Sequence, residues 1–382
     1  MALNSLSNLL QNRQPPGCKI IIGRKEVTKL YPFITTVRID TARDRASTAV
    51  LSIMAPDGKK RGAQIDEDGK VRIGDKITIK AVFGRDSEPI PVFYGYITKI
   101  NHGYPNDRGG TKVTVECQDE TVLLDQSHER LTLETPNTFS DGRIVQKLLS
   151  KYTLIAHFKN KDGITSENIV QSGSDIEFIR RRARINGFEL YSWNGMIYFG
   201  PMRLEDRPQA PILVYAGHKT NCINFDVSND VRAPEKFSYD ITPRKGKKAE
   251  RFVKKSNLKL MGTLSAKADD AAIGVSEWFF SRTKTPNKIE AASMAQAIAN
   301  KEAMRVVATG ELDGLLYGHV LRIGKPVTVI GAGKINSGKY YVDTVTHNMT
   351  HGQYRQSFSL IRNAIGDDTK STKRRTDLVM GL

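Results

Sequence analysis

The stretch that decides the fold is QSGSDIEFIRRRARINGFELYSWNGMIYF, residues 171–199. Ser174 and Glu177 stand three residues apart just before an apolar run, so each side chain can satisfy the backbone N–H of the other. This spacing predicts a capping box and the start of a helix. Asn186 and Gly187 predict the end of that helix, with the glycine at positive φ.

The residues inside the helix divide into two faces. Ile176, Ile179 and Ala183 recur at i, i+3 and i+7 and predict a buried stripe. Four arginines are expected largely on the other faces, namely Arg180, Arg181, Arg182 and Arg184. After the helix, Asn194-Gly195 separates two segments rich in aromatic and β-branched residues, which predicts a tight type I′ hairpin.

Composition and charge limit the possible functions. The chain has 382 residues, of which 39% are hydrophobic and 8% aromatic. This length allows two or three domains with real cores, and the composition is that of a globular protein. The formal net charge of +17 would suit nucleic acid, a membrane surface or an acidic protein. Charge alone describes solubility and association, so a solvated basic surface is the favoured interpretation.

The cysteines and the N-terminal residues indicate the compartment. Cys18, Cys117 and Cys222 are far apart and form no Cys-x-x-Cys pair, so we expect neither a disulfide framework nor a zinc site. Residues 1–16 lack the basic segment and long apolar core of a signal peptide. No run approaches the roughly 18 apolar residues that span a bilayer. We expect a soluble cytoplasmic product with an amphipathic N-terminal arm and no membrane insertion.

The first third of the chain is typical of a β-barrel or sandwich. Segments rich in Val, Ile, Thr and aromatic residues alternate with loops that contain Gly, Asp and Pro. The predicted strands are Val37 to Asp40, Thr48 to Met54, Lys76 to Phe83, Val92 to Asn101 and Thr111 to Gln118. Ile77 and Ile79 alternate with polar residues, as expected of a sheet with one face on a core.

Helical spacing interrupts this β pattern twice. Ser140 or Asp141 caps a first helix whose apolar side is formed by Ile144, Val145, Leu148, Leu149 and Tyr152. An Ala-rich helix is predicted over residues 288–304. The predicted fold class is mainly β with an α+β insertion, that is, two related tube-like β-barrel domains plus a small α/β module. The predicted divisions are an N-terminal arm (1–20), a first tube-like β domain (21–130), the α/β module (131–205), a second tube-like β domain (206–250 and 300–365), an insertion of basic loop and Ala-rich helix (251–299) and a flexible basic tail (366–382).

An internal repeat relates the two β domains. The order of Ile-Gly, strand, turn, aromatic strand that ends in Asn, and further strand occurs twice with similar spacing. The first copy covers residues 73–79, 93–101 and 111–118, and the second covers 323–329, 340–348 and 356–361. Antiparallel sheets in general share part of this pattern, so unrelated sheets stay open as the alternative.

Two motifs that could carry chemistry each lack a required part. Gly333 to Lys339 matches the start of a phosphate-binding loop, but Tyr340 stands where Ser or Thr should bind magnesium, and a strand is predicted where a helix is needed. We predict a hairpin loop there. His347 and His351 are spaced as in a zinc-protease helix, but Asn348 replaces the glutamate that would act as general base.

The other candidates also favour structural roles. Asp175 and Glu177 could form a catalytic pair, but their place in the first helical turn explains both by capping and the helix dipole. The basic segment from Arg244 to Lys259 contains Phe252 as its single aromatic and offers no stacking series, so a mobile loop or docking site is favoured over a phosphate-binding surface. The sequence contains no Gly-x-Ser-x-Gly elbow. We predict a protein that is not an enzyme, with no catalytic, cofactor-binding or metal-binding residues.

Two stretches of the sequence carry a resemblance to a known family. The first stretch is Gln171-Ser172, Ser174-Asp175-x-Glu177-Phe178 and, after the helix, Gly187-Phe188. The second is Gly338-x-Tyr340-x-Val342-x-x-Val345-x-His347, with Leu360 closing the last strand. These stretches resemble the phage late control protein D and VgrG family, the central hubs of contractile tails and related injection systems. Tyr94-Gly95-Tyr96-Ile97 is similar to the recurring Gly-Tyr-Ile strand of that family, and the resemblance covers about residues 30–365.

The resemblance implies a structural baseplate hub. In such a homotrimer each chain supplies two tube-like β domains, and three chains form a pseudo-sixfold ring that adapts a hexameric tail tube to a trimeric spike. The implied partners are a tail tube protein, a spike protein and other baseplate proteins, with nucleic acid only passing through the lumen. The implied location is the bacterial cytoplasm during assembly, then the tail baseplate of a virion or an injection particle. The sequence lacks the repetitive β-helix of VgrG and a lysozyme-like domain, so we expect the spike to be a separate chain.

Two alternatives belong to other functional classes. A basic nucleic-acid-binding protein would bind with an affinity that falls steeply as salt rises. A cell-wall hydrolase associated with a tail would need a pair of carboxylates in a cleft.

Overall fold

The structure is a computed structural model that describes most of the chain. The described residues are 17–55, 71–83, 88–104, 111–126, 128–133, 139–157, 161–165, 169–229, 236–241, 250–266, 277–280 and 288–367. The fold is mainly β with an α+β insertion, which confirms the predicted fold class.

The strands are β1 Gly17–Ile22, β2 Lys25–Glu26, β3 Ile34–Ala42, β4 Thr48–Ala55, β5 Lys76–Val82, β6 Ile90–Gly103, β7 Thr111–Asp119, β8 His128–Leu133, β9 Ile155–Ala156, β10 Ile169–Ser174, β11 Glu189–Trp193, β12 Met196–Gly200, β13 Gln209–Leu213, β14 Cys222–Asn229, β15 Lys236–Ile241, β16 Glu250–Lys254, β17 Leu264–Ser265, β18 Glu277–Phe280, β19 Val306–Asp313, β20 Pro326–Ile330, β21 Gly338–Thr350, β22 Gln353–Arg362 and β23 Ala364–Ile365. The α-helices are α1 Asp141–Ser150, α2 Asp175–Asn186, α3 Lys288–Ala303, and the single turns α4 Gly314–Tyr317 and α5 Gly333–Asn336. Short 3-10 helices cover Thr28–Phe33, Glu120–Asp125 and Gly217–Lys219.

Two β units share one topology. In the first unit the strands lie in the order β1-β5-β6-β7-β4-β3, and in the second unit in the order β13-β20-β21-β22-β19-β14. Each strand of one unit therefore has a counterpart in the other, in the same order along the chain. The units differ at one edge, because β1 pairs with β5 antiparallel whereas β13 pairs with β20 parallel. This shared topology confirms the predicted internal repeat.

The repeat extends to individual hydrogen bonds. Gly74 N donates to Ile97 O at 2.8 Å and Ile97 N donates to Asp75 O at 3.0 Å. In the second unit Gly324 N donates to Val342 O at 3.0 Å, and Val342 N donates to Lys325 O at 3.0 Å. Both glycines have positive φ, +90° and +65°. The repeated Ile-Gly pair therefore marks a turn that only glycine enters without strain.

The two units join edge to edge in one thirteen-stranded sheet. Strand β21 pairs with β22 along its length, with β20 at its start, and with β3 of the first unit over its second half. We call this last pairing, Thr344–Thr350 against 36–42, the unit junction. Asp40 lies opposite Thr346 and accepts a hydrogen bond from its hydroxyl at 2.6 Å.

Each unit has its own hydrophobic core. Alternating strand residues such as Ile77, Ile79 and Ala81 fill the first core, while their neighbours face away from it. The second core is built in the same way around Val342, Val345 and Leu360. Met349 of β21 packs into the first core, so the unit junction also joins the two cores.

The α/β module forms between the two units from α1, α2 and β8 to β12. Helix α2 begins after Ser174, whose N–H donates to the Glu177 carboxylate at 3.2 Å, the returning bond of the predicted capping box. It ends at Gly187 with φ +65°. Asn194 and Gly195 have φ +53° and +78° and join β11 to β12. The predicted helix start, helix end and hairpin are confirmed.

One arginine of α2 does not lie where the sequence predicts. Arg182 was expected largely on an outer face, but its side chain is buried. Its guanidinium donates to both carboxylate oxygens of Asp141, at 2.7 and 3.0 Å, and contacts Glu290 of α3 at 2.5 Å. Helical periodicity alone predicts that the arginines are solvated. Arg182 is buried instead because the carboxylates of Asp141 and Glu290 pair with its guanidinium.

Some observed pairings cross the predicted divisions. Strand β1 begins at Gly17 and pairs with β5, so residues 17–20 lie in the sheet rather than in an arm. The side chain of Ile20 is buried in the first core. Strand β8 pairs with β10 and crosses the predicted start of the module at 131. The predicted basic loop contains β16, which pairs with β15. Residues 1–16, 242–249 and 368–382 of the predicted arm, loop and tail lie outside the described residues.

Candidate assembly surfaces

The segment that resembles a phosphate-binding loop connects two paired strands. It forms the single turn α5 between β20 and β21, and Tyr340 lies in the strand that follows. The hydroxyl of Tyr340 donates back to Asn336 O at 2.8 Å. A helix of one turn provides no N-terminal phosphate site, so the predicted hairpin connection is confirmed with one helical turn inside it.

The two histidines spaced four apart are separated by the end of a strand. His347 is buried in β21, with Nδ1 2.8 Å from the hydroxyl of Tyr354, whereas His351 is exposed in the turn after it. Burial lowers the pKa of His347 to about 3. Among the described residues, no group of three or more His, Cys, Asp or Glu side chains could hold a metal ion.

The buried imidazole of His347 makes a pH-dependent contribution to stability. The unfolded chain binds a proton there below about pH 6.5, whereas the folded chain does so only near pH 3, so this contribution is lost as pH falls between these values. At about 1.4 kcal/mol per pH unit, this loss of stability amounts to about 3 kcal/mol between pH 6.5 and 4. We expect His347→Gln to remove that part of the pH dependence of urea unfolding. His351→Gln is the matched control, and equal pH profiles for the two variants would contradict this assignment.

Asp175 and Glu177, the two carboxylates in the first turn of α2, engage in structural contacts. Asp175 is buried and accepts a hydrogen bond from the Tyr152 hydroxyl at 2.8 Å and another from Gln171. Glu177 binds the N-cap N–H of the helix. The Glu177 contact confirms capping, whereas Asp175, in the same helical turn, accepts from the side chains of Tyr152 and Gln171.

An ionic cluster around the buried Glu189 joins the two units and the module. Arg43 follows β3 of the first unit; its Nη1 lies 2.8 Å from Glu189 of the module, and its Nε lies 2.6 Å from Asp343 of the second unit. The other Glu189 oxygen accepts from the Tyr341 hydroxyl at 2.8 Å. Burial raises the pKa of Glu189, and Arg43 opposes that shift. Asp343 is the extra residue of a bulge in β21, which turns its carboxylate toward Arg43.

A second cluster fastens the module to helix α3. Arg182 bridges Asp141 of the module and Glu290 of α3, and Gly187 lies against Ala297 of the same helix. A Cβ atom added at Gly187 would lie 2.8 Å from the Cβ atom of Ala297. Close packing of the two helices therefore depends on this glycine.

Two strand edges of the sheet are open within the part of the chain that the structure describes. Strand β14 ends the strand order and pairs there only with β19. Strand β6 pairs with β5 up to Tyr96, and beyond it only β7 pairs with β6. Both edges carry apolar side chains that solvent reaches, including Phe225 of β14 and Tyr104 after β6, which is 78% exposed.

A small separate sheet carries an aromatic surface that the sequence pattern does not predict. Strands β15, β16 and β18 pair, and Trp278 and Phe279 of β18 are each about half exposed. The Arg251 guanidinium lies 5.1 Å from the centre of the Phe279 ring. The aromatic run 277–280 signals a strand, but its pairing with the basic segment is not visible from either segment alone.

A sequence model described as the Alg8 N-terminal domain matches residues 13–351 of the chain. The chain belongs to the Alg8 N-terminal domain family. The match includes the first β unit, the module, α3 and the second β unit up to the end of β21, whereas β22 and β23 lie beyond it. None of the curated proteins compared with the sequence matches it.

Solved structures show where else this Alg8 N-terminal domain fold occurs. The 43 kDa tail protein of prophage MuSo2 from Shewanella oneidensis has a TM-score of 0.67 and 13% identity, covering 92% of this chain and 99% of its own. A tail protein from Neisseria meningitidis MC58 has a TM-score of 0.61 and 13% identity, covering 92% and 98%. A chain of the Francisella PdpA-VgrG complex has a TM-score of 0.55 and 10% identity, covering 97% and 63%. At these identities the likeness shows the fold alone.

None of the helices among the described residues is long and apolar enough to cross a membrane.

Proposed function

We propose that the chain is a structural baseplate hub protein of a phage tail or contractile injection system. Three copies would form a pseudo-sixfold ring that adapts a hexameric tail tube to a trimeric spike. One observation carries the proposal: two β units of identical strand order are joined edge to edge in a single sheet. Support also comes from fold neighbours described as tail proteins and a VgrG complex.

The repeat matches the symmetry problem that such a ring solves. A hexameric tube offers six equivalent contact sites, whereas a trimeric spike offers three. Two similar units per chain in three chains give six similar surfaces toward the tube. The module and α3 each occur once in the described chain. A ring of three chains would therefore present three copies of each, with threefold symmetry, to other partners.

The partners of this hub would be other proteins of the same particle. We propose a tail tube protein on one side of the ring, a separate spike chain on the other, and further baseplate proteins outside. The assembly would begin in the bacterial cytoplasm and end in the baseplate of a virion or injection particle. Nucleic acid would pass through the lumen without a dedicated binding site.

A non-enzymatic role fits the side chains that looked most like catalytic groups. Asp175, Glu177 and His347 all engage in capping or core hydrogen bonds. A cell-wall hydrolase would instead need two carboxylates in an open cleft.

The mass of the purified chain in solution tests the proposal. One chain has a mass of 42.6 kDa, so a trimer has three times that mass, about 128 kDa. We expect light scattering to give the trimer mass, either for the chain alone or with its candidate spike protein. A chain that keeps the monomer mass in both samples would contradict the proposed ring.

A further inference from the structure

The unit junction shows how one β unit receives the edge of the other. Strand β3 is the edge of the first unit, and it pairs antiparallel with the second half of β21. The register places Thr41 opposite Val345, Asp40 opposite Thr346, and Val37 opposite Met349. The first half of β21 pairs instead with β20.

The same two elements recur in the chain without their partners. Strand β14 corresponds to β3, since each lies at the end of its unit and has a register shift near its start. Strand β6 corresponds to β21, since each has a one-residue bulge against its neighbour, at Thr98 and Asp343. Within the described residues, β14 pairs on one side only, and β6 has no strand opposite β7 beyond Tyr96. One chain therefore carries two open edges of different kind. We call β14, the counterpart of β3, the donor edge, and the second half of β6, the counterpart of β21, the acceptor edge.

Side-chain burial distinguishes the closed junction from the open edges. Val37 and Ile39 of β3 are buried, whereas their counterparts Phe225 and Val227 of β14 are only partly buried. The difference is larger on the acceptor side. Met349 is 5% exposed, whereas its counterpart Tyr104 is 78% exposed. Apolar residues are therefore covered at the unit junction, whereas their counterparts at the two open edges are reached by solvent.

The composition of β14 also indicates a paired edge. Its eight residues, CINFDVSN, contain no Lys and no Pro, and Asp226 is its one charged residue. Isolated edge strands are usually protected by lysine, proline or a covering loop, because an unprotected edge recruits another strand.

We infer that β14 of one copy pairs antiparallel with the second half of β6 in the next copy. The inference rests on the proposed ring and names the surface that closes it. Transfer of the junction register places Asn101 opposite Ser228 and Tyr104 opposite Phe225. The second pair would add an aromatic contact across strands. Because donor and acceptor edges differ, the contact is head to tail and closes a ring when the rotation per chain is one third of a turn.

Disulfide formation between opposed positions tests this register. Asn101→Cys combined with Ser228→Cys places two thiols at directly opposed positions, where strand geometry allows a disulfide. Asp40→Cys with Thr346→Cys is the matched intramolecular control, since that pair occupies the same position in the unit junction. Asn101→Cys with Asp226→Cys is the control shifted by two residues. The parent chain and the single variants report any reaction of Cys18, Cys117 and Cys222.

The expected result is specific to the matched pair. After mild oxidation, Asn101→Cys with Ser228→Cys should give covalent dimers and closed trimers on a non-reducing gel, and the shifted pair should remain monomeric. The intramolecular control should form its disulfide without any larger species. Equal cross-linking by the shifted pair would overturn the register.

The mass of the same samples separates this inference from the proposed function. A trimer by light scattering whose matched pair forms no disulfide would overturn the strand pairing and leave the ring intact. A monomer by light scattering with no disulfide would overturn both.

Discussion

Replacing Arg43 with Met is expected to lower the free energy of unfolding by about 3–5 kcal/mol. The Glu189 side chain is 3% exposed and the Arg43 side chain 19% exposed, so the substitution leaves a buried carboxylate without its cation. Asp343 loses its ion pair with Arg43 at the same time. Since Arg43 of the first unit contacts both the module and the second unit, its loss weakens both interfaces together. Urea unfolding of the purified chain measures the effect.

Two further variants show whether the buried charge is the cause. Arg38→Met removes an arginine of β3, the strand just before Arg43, that is 60% exposed and pairs with Asp40, so its expected cost is below about 1 kcal/mol. Adding Glu189→Gln to Arg43→Met removes the uncompensated charge and should restore part of the stability. If Arg43→Met and Arg38→Met unfold at the same urea concentration, the cluster does not hold the units together.

Replacing Gly187 with Val is expected to destabilise the protein by about 2–5 kcal/mol. Gly187 has φ +65°, a conformation that β-branched residues rarely adopt. The new side chain would also meet Ala297, since a Cβ atom at this position lies 2.8 Å from the Ala297 Cβ. Backbone strain and overpacking therefore add at one position. With Trp278→Phe introduced into the parent and the variant, Trp193 in the next strand is the one remaining tryptophan, and its fluorescence reports unfolding of the module.

Gly318 provides the matched control for this prediction. It also ends a helix at φ +65°, but a Cβ atom there would meet nothing within 4 Å. Gly318→Val therefore carries the backbone strain alone, about 1–2 kcal/mol. Equal losses for the two variants would show that contact with α3 contributes nothing, and a Gly187→Val protein as stable as the parent would contradict the helix end itself.

Local features of the fold follow from the sequence because their causes are local. Ser174 and Glu177 cap a helix through neighbouring backbone groups, and Asn194-Gly195 needs only its own two φ angles to form a hairpin. The repeated Ile-Gly pairs are visible for the same reason, since each glycine occupies the same turn. The repeat then predicts that the two β units share a strand order.

Contacts between distant segments do not follow from local pattern. Arg182 has the spacing of a solvated residue, and only the fold brings Asp141 and Glu290 to it. Arg43, Glu189 and Asp343 are likewise separated by more than a hundred residues. Strand β16 was assigned to a loop because its pattern is basic, and its pairing with β15 supplies the order that its composition does not.

The candidate assembly surfaces depend on pairing and therefore on the structure. The sequence predicts the strand β6 and places β14 only within the second β domain, and it does not show which edge of either strand is open. Only the comparison with the unit junction shows that Tyr104 and Phe225 occupy positions that are covered elsewhere in the chain. The resemblance to hub proteins implies the number of copies in the proposed ring, whereas the register of the unit junction names the residues that we propose to meet.

Electron microscopy of the assembled chain tests the central claim most directly. Class averages of negatively stained particles, viewed along the axis, should show three copies as a closed ring of six similar lobes around an opening. The six lobes are the two β units of each chain, which share one strand order. Particles with a solid centre, an open filament, or three unlike pairs of lobes that do not close would contradict the account.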